Sequence, residues 1–170
     1  MEELRGARLV LRPPRLPGDA VALAAILAEP EVARWWRDLA DPDRVRCDVL
    51  EAEPGWVIEH EGQVAGWIQY GEETDPDYRH VGMDIFLTSA LHGRGLGQEA
   101  IRLVIDHFVA RGHHRFTIDP NVANERAIRA YRAVGFRPVG VLRAYERGTD
   151  GAWQDGLLMD LVVSDLPPAS

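Results

Sequence analysis

Three glycines in the segment His92-Gly93-Arg94-Gly95-Leu96-Gly97 have the spacing of a loop that binds an anion. The segment follows an apolar run typical of a strand and precedes a run with apolar residues at helical spacing. Glycines allow a tight turn that leaves backbone N–H groups open, and the following helix directs its positive dipole end to the same place. The segment therefore predicts a site for an anion, most often a phosphate. The alternative is a tight strand-to-helix turn without a ligand.

The loop differs from two common nucleotide-binding motifs. No Gly-Lys-Ser/Thr follows it, so it is not a Walker loop. The glycine spacing, and a preceding strand that is not the first of the chain, do not fit a Rossmann fingerprint. Arg94, inside the loop, can add a charged contact to a phosphate.

A carboxylate lies in the middle of the strand predicted before the loop. Strand alternation places Asp84 on one face with Gly82 and Phe86, and Val81, Met83, Ile85 and Leu87 on the other. A carboxylate in such a place is costly unless it has a partner. It can bind an amine cation and accept a proton from it. The alternative is a solvent-facing residue on a half-exposed strand.

The elements that must position these residues follow from apolar periodicity and turn signals. Strands are predicted at 9–12, 56–60, 63–70, 79–87, 114–118, 136–145 and 156–163. Helical segments begin near Asp19 and Asp41, which are candidate caps, and near Pro30, Gln98 and Asn124. We predict one domain over 1–165 and a flexible tail at 166–170.

A second stretch, at 124–136, reads Asn-Glu-Arg-Ala-Ile-Arg-Ala-Tyr-Arg-Ala-Val-Gly-Phe. Together with the loop it resembles the GNAT family of acetyl-coenzyme A-dependent N-acetyltransferases. That family carries Gln/Arg-x-x-Gly-x-Gly/Ala at its pyrophosphate loop and Asn-x-x-Ala-x-x-x-Tyr-x-x-x-Gly-Phe on the next helix. His92 departs from the Gln or Arg of that pattern. The resemblance extends over most of the chain.

The resemblance implies an α+β fold. Its mixed, mostly antiparallel sheet has six to seven strands, parts between the fourth and fifth, and is flanked by about four helices. Acetyl-coenzyme A would lie in the opening. The residues implied to contact it are Phe86, Leu87, His92, Gly93, Arg94, Gly95, Leu96, Gly97, Asn124 and Ala127. Tyr131 is implied to protonate the leaving thiolate.

One branch of the family, the aminoglycoside 6′-N-acetyltransferases, shares further features with this chain. These are Trp35-Trp36, the acidic loop at 72–77, Asp84, and Asp119-Pro120 ahead of Asn124. The resemblance implies that Asp84 and Asp119 bind amines, that Asp84 is the base, and that Trp36 and Glu73 lie on the substrate side. Asp-Pro is also a common turn start, which is the simpler reading of Asp119.

Composition excludes several classes of function. The formal net charge of −8 argues against nucleic acid as a partner. All 19 basic residues are arginine, which excludes lysine chemistry. The single cysteine, Cys47, excludes an internal disulfide and a cysteine zinc site, and the histidines lack metal-like spacing, so we predict no metal. No apolar run approaches ~20 residues, so we expect no membrane span and a cytoplasmic protein.

The leading hypothesis is acetylation of the 6′-amine of an aminoglycoside, a small cationic substrate, by a monomer or homodimer. No activated Cys or Ser nucleophile is visible, so the amine would attack directly. One alternative is acetylation of a siderophore hydroxylamine, another small amine or a protein N-terminus. Another is a catalytically silent coenzyme A-binding module.

Overall fold

The computed structural model describes residues 2–36 and 39–165. Within these ranges, eight strands form one sheet in the order β1-β2-β3-β4-β5-β6-β8-β7. The strands are β1 Leu4–Arg5, β2 Val10–Arg12, β3 Gly55–His60, β4 Gln63–Glu73, β5 His80–Leu87, β6 Arg115–Ile118, β7 Arg137–Arg147 and β8 Trp153–Val162. The predicted tail at 166–170 lies outside the described residues, and the assignment of 1–165 to one domain stays a prediction.

The predicted fold class is confirmed, with one strand more than expected. The additional strand, β1, is two residues long and pairs antiparallel with β2. A segment this short has no alternation that a sequence pattern can reveal. Except for the parallel pair of β5 and β6, all strand pairs are antiparallel.

Five α-helices of the described residues flank the sheet: α1 Gly18–Leu27, α2 Pro30–Ala33, α3 Pro42–Val45, α4 Leu96–Val109 and α5 Glu125–Val134. A π-helical turn, Arg46–Leu50, continues α3. Asp41 caps α3 as predicted, since its side chain accepts the N–H of Asp43. The predicted cap role of Asp19 is wrong. Asp19 lies inside the first turn of α1 and is buried against the guanidinium of Arg12, at 2.7 and 2.9 Å, because a buried arginine needs a carboxylate partner.

The sheet opens between β5 and β6, as predicted. The two strands pair only at Val81↔Phe116 and Gly82↔Thr117, and β5 then continues to Leu87 beside β4 alone. The N–H of Thr88 donates to the carbonyl of Ala65 at 2.8 Å. This bond fixes the antiparallel register, so the backbone N–H groups of Met83, Ile85 and Leu87 point into the opening.

Two apolar cores cover the two faces of the sheet. The larger core joins α4 and α5 to side chains that include Val81, Met83 and Leu87 of β5. The smaller core joins α1, α2 and α3 to the other face, where Phe86 is buried. The predicted alternation along β5 is therefore confirmed. Within residues 2–36 and 39–165, no helix is long and apolar enough to cross a membrane.

Candidate active site

The glycine loop requires glycine at two positions. Gly93 and Gly95 have φ values of +73° and +78°, in the left-handed region, which other residues rarely adopt. Gly95 is the N-cap of α4. Because the first amides of a helix have no acceptor within it, the N–H groups of Leu96, Gly97 and Gln98 are open to an anion.

Arg8, far away in the sequence, holds this loop in place. Its backbone N–H and Nε donate to the two carboxylate oxygens of Glu99 in α4, both at 2.8 Å. Its guanidinium also donates to the carbonyl of Arg94 at 2.8 Å. The Arg94 side chain does not line the cavity beside the loop, so the structure gives no support for its predicted phosphate contact.

His92 also braces the loop. Its Nε2 lies 2.9 Å from the carbonyl oxygen of Leu87, and the ring lines the cavity. Burial and the nearby charge of Arg126 lower the pKa of His92, so the neutral ring dominates at pH 7. The residue at the Gln/Arg position of the motif thus supports the backbone of the turn. A contact from its ring to a ligand stays a prediction.

The loop cavity has a volume of about 530 Å³ and lies beside the end of β5 that does not pair with β6, where residues of α4 and α5 also line it. It is lined by nine of the ten predicted cofactor residues: Phe86, Leu87, His92, Gly93, Gly95, Leu96, Gly97, Asn124 and Ala127. Asn124 also caps α5 as predicted, because its side chain accepts the N–H of Ala127 at 3.2 Å. Free amides at one end and an apolar wall along β5 fit the pyrophosphate and the pantetheine arm of coenzyme A.

A second cavity, of about 330 Å³, adjoins the first. We call it the acidic cavity, because the carboxylates of Asp84, Asp119 and Glu146 line it. Five residues line both cavities: Trp35, Trp36, Ile85, Asn124 and Tyr131. The ring of Trp36 packs edge-on against Phe86, with centroids 4.8 Å apart. The two cavities therefore meet at Tyr131 and at the middle of β5.

Asp84 is solvent-exposed in the open acidic cavity, although protein atoms surround it closely. Its Oδ1 accepts the N–H of its neighbour Ile85 at 2.9 Å. Partial desolvation by the protein atoms around the carboxylate is the main cause that raises the pKa of Asp84 to about 7, and the negative charge of Asp119 is the second. Water in the open cavity moderates this effect, and a ligand that displaces the water would strengthen it.

Tyr131 is buried, with 7% of its surface exposed. Burial, followed by the negative charges of Asp84 and Asp119, raises the pKa of its hydroxyl. The hydroxyl therefore stays protonated at neutral pH and is a hydrogen-bond donor where the two cavities meet.

Asp119 is held by Tyr145, a residue that the sequence analysis missed. The Tyr145 hydroxyl donates to Oδ2 of Asp119 at 2.6 Å, and this bond is the main cause that raises the pKa of Tyr145 to about 12. A bulge in β7 makes the contact possible. Ala144 has φ +50°, and its N–H donates to the Asp155 carboxylate at 2.7 Å.

Glu146 is the second residue that the sequence analysis missed. Asn121, which is buried, donates from Nδ2 to Glu146 at 2.9 Å and to Gln154 at 2.6 Å. These two hydrogen bonds hold the end of β7 against the turn after β6. Neither Tyr145 nor Glu146 has a motif signal, because the bulge is at an alanine instead of a glycine.

Glu73, a predicted substrate residue, lines neither cavity. Its carboxylate accepts the N–H of Asp75 at 2.8 Å and so caps the acidic turn. Glu73 pairs with His80, whereas Asp84 pairs with Gln69, so Glu73 lies four positions along β4 from the residue opposite Asp84. Within the described residues, no three His, Cys, Asp or Glu side chains are grouped to hold a metal ion.

Comparison with solved structures finds the same architecture in RimJ and in two ribosomal-protein acetyltransferases. RimJ from Mycobacterium smegmatis, in complex with CoA-disulfide, is 27% identical, with 99% of this chain and 89% of RimJ covered and a TM-score of 0.79. Ribosomal-protein-alanine N-acetyltransferase from Brucella melitensis is 27% identical, with 89% and 98% covered and a TM-score of 0.70. Ribosomal-protein-S5-alanine acetyltransferase from Vibrio fischeri is 21% identical, with 99% and 100% covered and a TM-score of 0.79.

The sequence gives a direct family assignment. A search of curated protein sequences found no match. The family model for the GNAT acetyltransferase domain matches residues 8–137, which include Asp84, the glycine loop and Tyr131. The chain therefore belongs to the GNAT family of acetyltransferases.

Proposed function

We propose that this enzyme transfers an acetyl group from acetyl-coenzyme A to the α-amine of a protein N-terminus. One observation carries the proposal: Tyr131 and Ile85 line both the loop cavity and the acidic cavity, so a thioester in the first can meet an amine in the second. The amides of Leu96, Gly97 and Gln98 would hold the pyrophosphate. Acetyl-coenzyme A supplies the acetyl group as an activated thioester.

Asp84 takes the proton that the amine must lose before it can attack. The N–H of Ile85 occupies one carboxylate oxygen, at 2.9 Å, which leaves the other oxygen for the amine. A base is most effective when its pKa lies near the working pH, and the pKa of Asp84 is raised to about 7. Asp119, held by Tyr145, would orient the cation beside it.

Tyr131 acts on the leaving group, the thiolate of coenzyme A. Its raised pKa keeps the hydroxyl protonated, so it can donate a hydrogen bond to the departing sulfur. As the substrate ammonium enters the acidic cavity, its positive charge offsets Asp84 and Asp119 and makes the hydroxyl a stronger acid.

The basicity of the acceptor favours a protein N-terminus. An α-amine has a pKa of roughly 7.7–8.0, well below that of a lysine side chain at about 10.4. A carboxylate whose pKa is about 7 is therefore well matched to an α-amine. The Brucella melitensis protein, which is 27% identical to this chain, carries the name of a ribosomal-protein-alanine N-acetyltransferase, which supports the same class of acceptor.

A second candidate is the 6′-amine of an aminoglycoside, as the sequence resemblance implied. The observation that favours it is the group of three carboxylates, Asp84, Asp119 and Glu146, around one cavity. A drug with several ammonium groups would be attracted to them.

The test is a thiol-release assay with acetyl-coenzyme A over a panel of acceptors. The panel holds peptides with free N-terminal alanine, the same peptides with a blocked N-terminus, kanamycin and a hydroxylamino acid. Mass spectrometry locates the acetyl group. We expect turnover of the free peptides alone. Turnover of kanamycin without turnover of peptides would select the second candidate, and coenzyme A binding without any turnover would indicate a silent module. Cytoplasmic location and a monomer or homodimer remain part of the proposal.

A further inference from the structure

Two arginines line the acidic cavity together with its three carboxylates. Arg34, the C-cap of α2, and Arg147, the last residue of β7, reach it from two different elements. Both are exposed. Neither forms an ion pair with any residue in the described ranges 2–36 and 39–165. The sequence analysis assigned no role to either residue.

An aromatic ring fixes the position of each guanidinium. The Arg34 guanidinium lies 4.9 Å from the ring centroid of Trp35, and that of Arg147 lies 5.4 Å from the centroid of Trp153. Stacking of this kind restrains a long side chain without neutralising its charge. Each guanidinium thus keeps its N–H groups available for an incoming ligand.

The acidic cavity therefore has negatively charged side chains in one part and positively charged side chains in another. Asp84 and Asp119 lie beside Tyr131, where the amine must react. Arg34 and Arg147 lie at the C-terminal ends of α2 and β7, and neither has an ion-pair partner in the described part of the chain. An ammonium is attracted to the first group and repelled by the second. A guanidinium prefers a carboxylate, which it can bind through two parallel hydrogen bonds.

We propose that the acceptor carries a carboxylate close to its reactive amine, and that Arg34 and Arg147 bind this carboxylate. This inference rests on the proposed function, and it narrows the substrate to proteins with an aspartate or glutamate at the second or third position. The N-terminal amine enters between Asp84 and Asp119, and the acidic side chain stays at the arginines. A polycation with no anionic group gains nothing from Arg34 and Arg147.

The experiment measures kcat/KM for peptides that share an N-terminal alanine and differ only at the second or third residue, which is Glu, Gln or Lys. Each arginine in an exposed ion pair should contribute roughly twofold to fivefold. We expect the wild-type enzyme to prefer Glu over Gln by roughly fourfold to 25-fold, and Lys to be the poorest. The preference should weaken as salt is added.

Matched variants separate the two arginines from general charge effects. Arg34→Gln and Arg147→Gln should each remove part of the preference for Glu, and the double variant should remove all of it. Arg147→Glu should improve the Lys peptide relative to the Glu peptide. Arg143→Gln is the control, because Arg143 is an exposed arginine of the same strand that lines neither cavity, and it should keep the wild-type preference.

The outcomes distinguish this inference from the proposed function. If all free peptides are acetylated equally well, or if the preference for Glu survives in the double variant, the arginine site is wrong and the function stands. If no peptide is acetylated and kanamycin is, the proposed function fails and the arginine site fails with it. Loss of the preference in Arg143→Gln would also contradict the assignment.

Discussion

The hydroxyl of Tyr145 donates a hydrogen bond of 2.6 Å to Oδ2 of Asp119, and the two residues are 26 positions apart in the chain. The contact depends on a close approach at Gly156, where an added Cβ would lie 2.8 Å from the Tyr145 ring. With Oδ2 occupied, Asp119 has a fixed carboxylate whose other oxygen is available to an ammonium. Tyr145 is thus a positioning residue for Asp119.

Tyr145→Phe should raise the KM for the amine and leave kcat and the acetyl-coenzyme A KM nearly unchanged, because only the orientation of Asp119 is lost. A hydrogen bond of about 0.5–1.5 kcal/mol corresponds to roughly twofold to tenfold in KM. Steady-state kinetics with each substrate varied in turn measure kcat and the two KM values separately. A fall in kcat with unchanged KM would show that Tyr145 acts in the chemical step instead.

Asp84 should set the pH dependence of turnover. Its pKa is raised to about 7, and the base is active only when deprotonated, so the rate should rise with pH through about 7. Asp84→Asn should lose this limb and reduce kcat on the order of a hundredfold. Since Asp119 is one cause of the raised pKa, Asp119→Asn should move the limb to lower pH. Asp77→Asn, in the exposed turn, is the control and should keep the wild-type profile.

Asp84 should also reduce the stability of the enzyme at neutral and higher pH. Its folded-state pKa of about 7 lies above the unfolded value, near 4, so ionisation is harder in the folded protein. Stability is therefore lost as the pH rises from about 4 to 7. Asp84→Asn should have a Tm higher than wild type at pH 8, and this gap should close below pH 4. If wild type and Asp84→Asn had the same Tm at pH 8 as well as below pH 4, this result would contradict the raised pKa of Asp84.

Tyr131→Phe should lower kcat far more than it changes either KM, because the ring still fills its place in the core and only the hydroxyl is removed. Loss of a general acid costs on the order of a hundredfold. Tyr70→Phe is the matched control, since Tyr70 is a tyrosine packed against the same core that lines neither cavity. Wild-type turnover in Tyr131→Phe would assign the proton to water or to another residue.

Gly95→Ala should weaken coenzyme A binding. Alanine at φ +78° costs about 1–2 kcal/mol of backbone strain, and relief of that strain would turn the amides of α4 away from the pyrophosphate. Gly62→Ala is the matched control, because Gly62 has φ +76° and no neighbouring atoms within 4 Å, and it lies in the β3–β4 turn. Calorimetry should find that Gly95→Ala binds coenzyme A several-fold more weakly than wild type and that Gly62→Ala binds it normally. The two variants should have similar stability.

Elements with local signals can be predicted from the amino-acid sequence. The glycines at 93 and 95 are required by their own backbone angles, and the Asn124 cap needs only the amide three residues later. Alternation along β5 was readable because each face packs into a separate core. The family resemblance then brought Asp84, Asp119 and Tyr131 together, and the structure places all three at the acidic cavity.

Other features of the site can be seen only in the folded protein, because they depend on contacts between residues that are distant in the sequence. Glu73 follows the acidic pattern, yet its position along β4 keeps it outside the acidic cavity. Tyr145 and Glu146 enter that cavity through a bulge in β7 that Asp155 and Asn121 hold from other segments. Arg8 braces the glycine loop from the N-terminal end of the chain. A periodicity that repeats every two or four residues carries no information about such contacts.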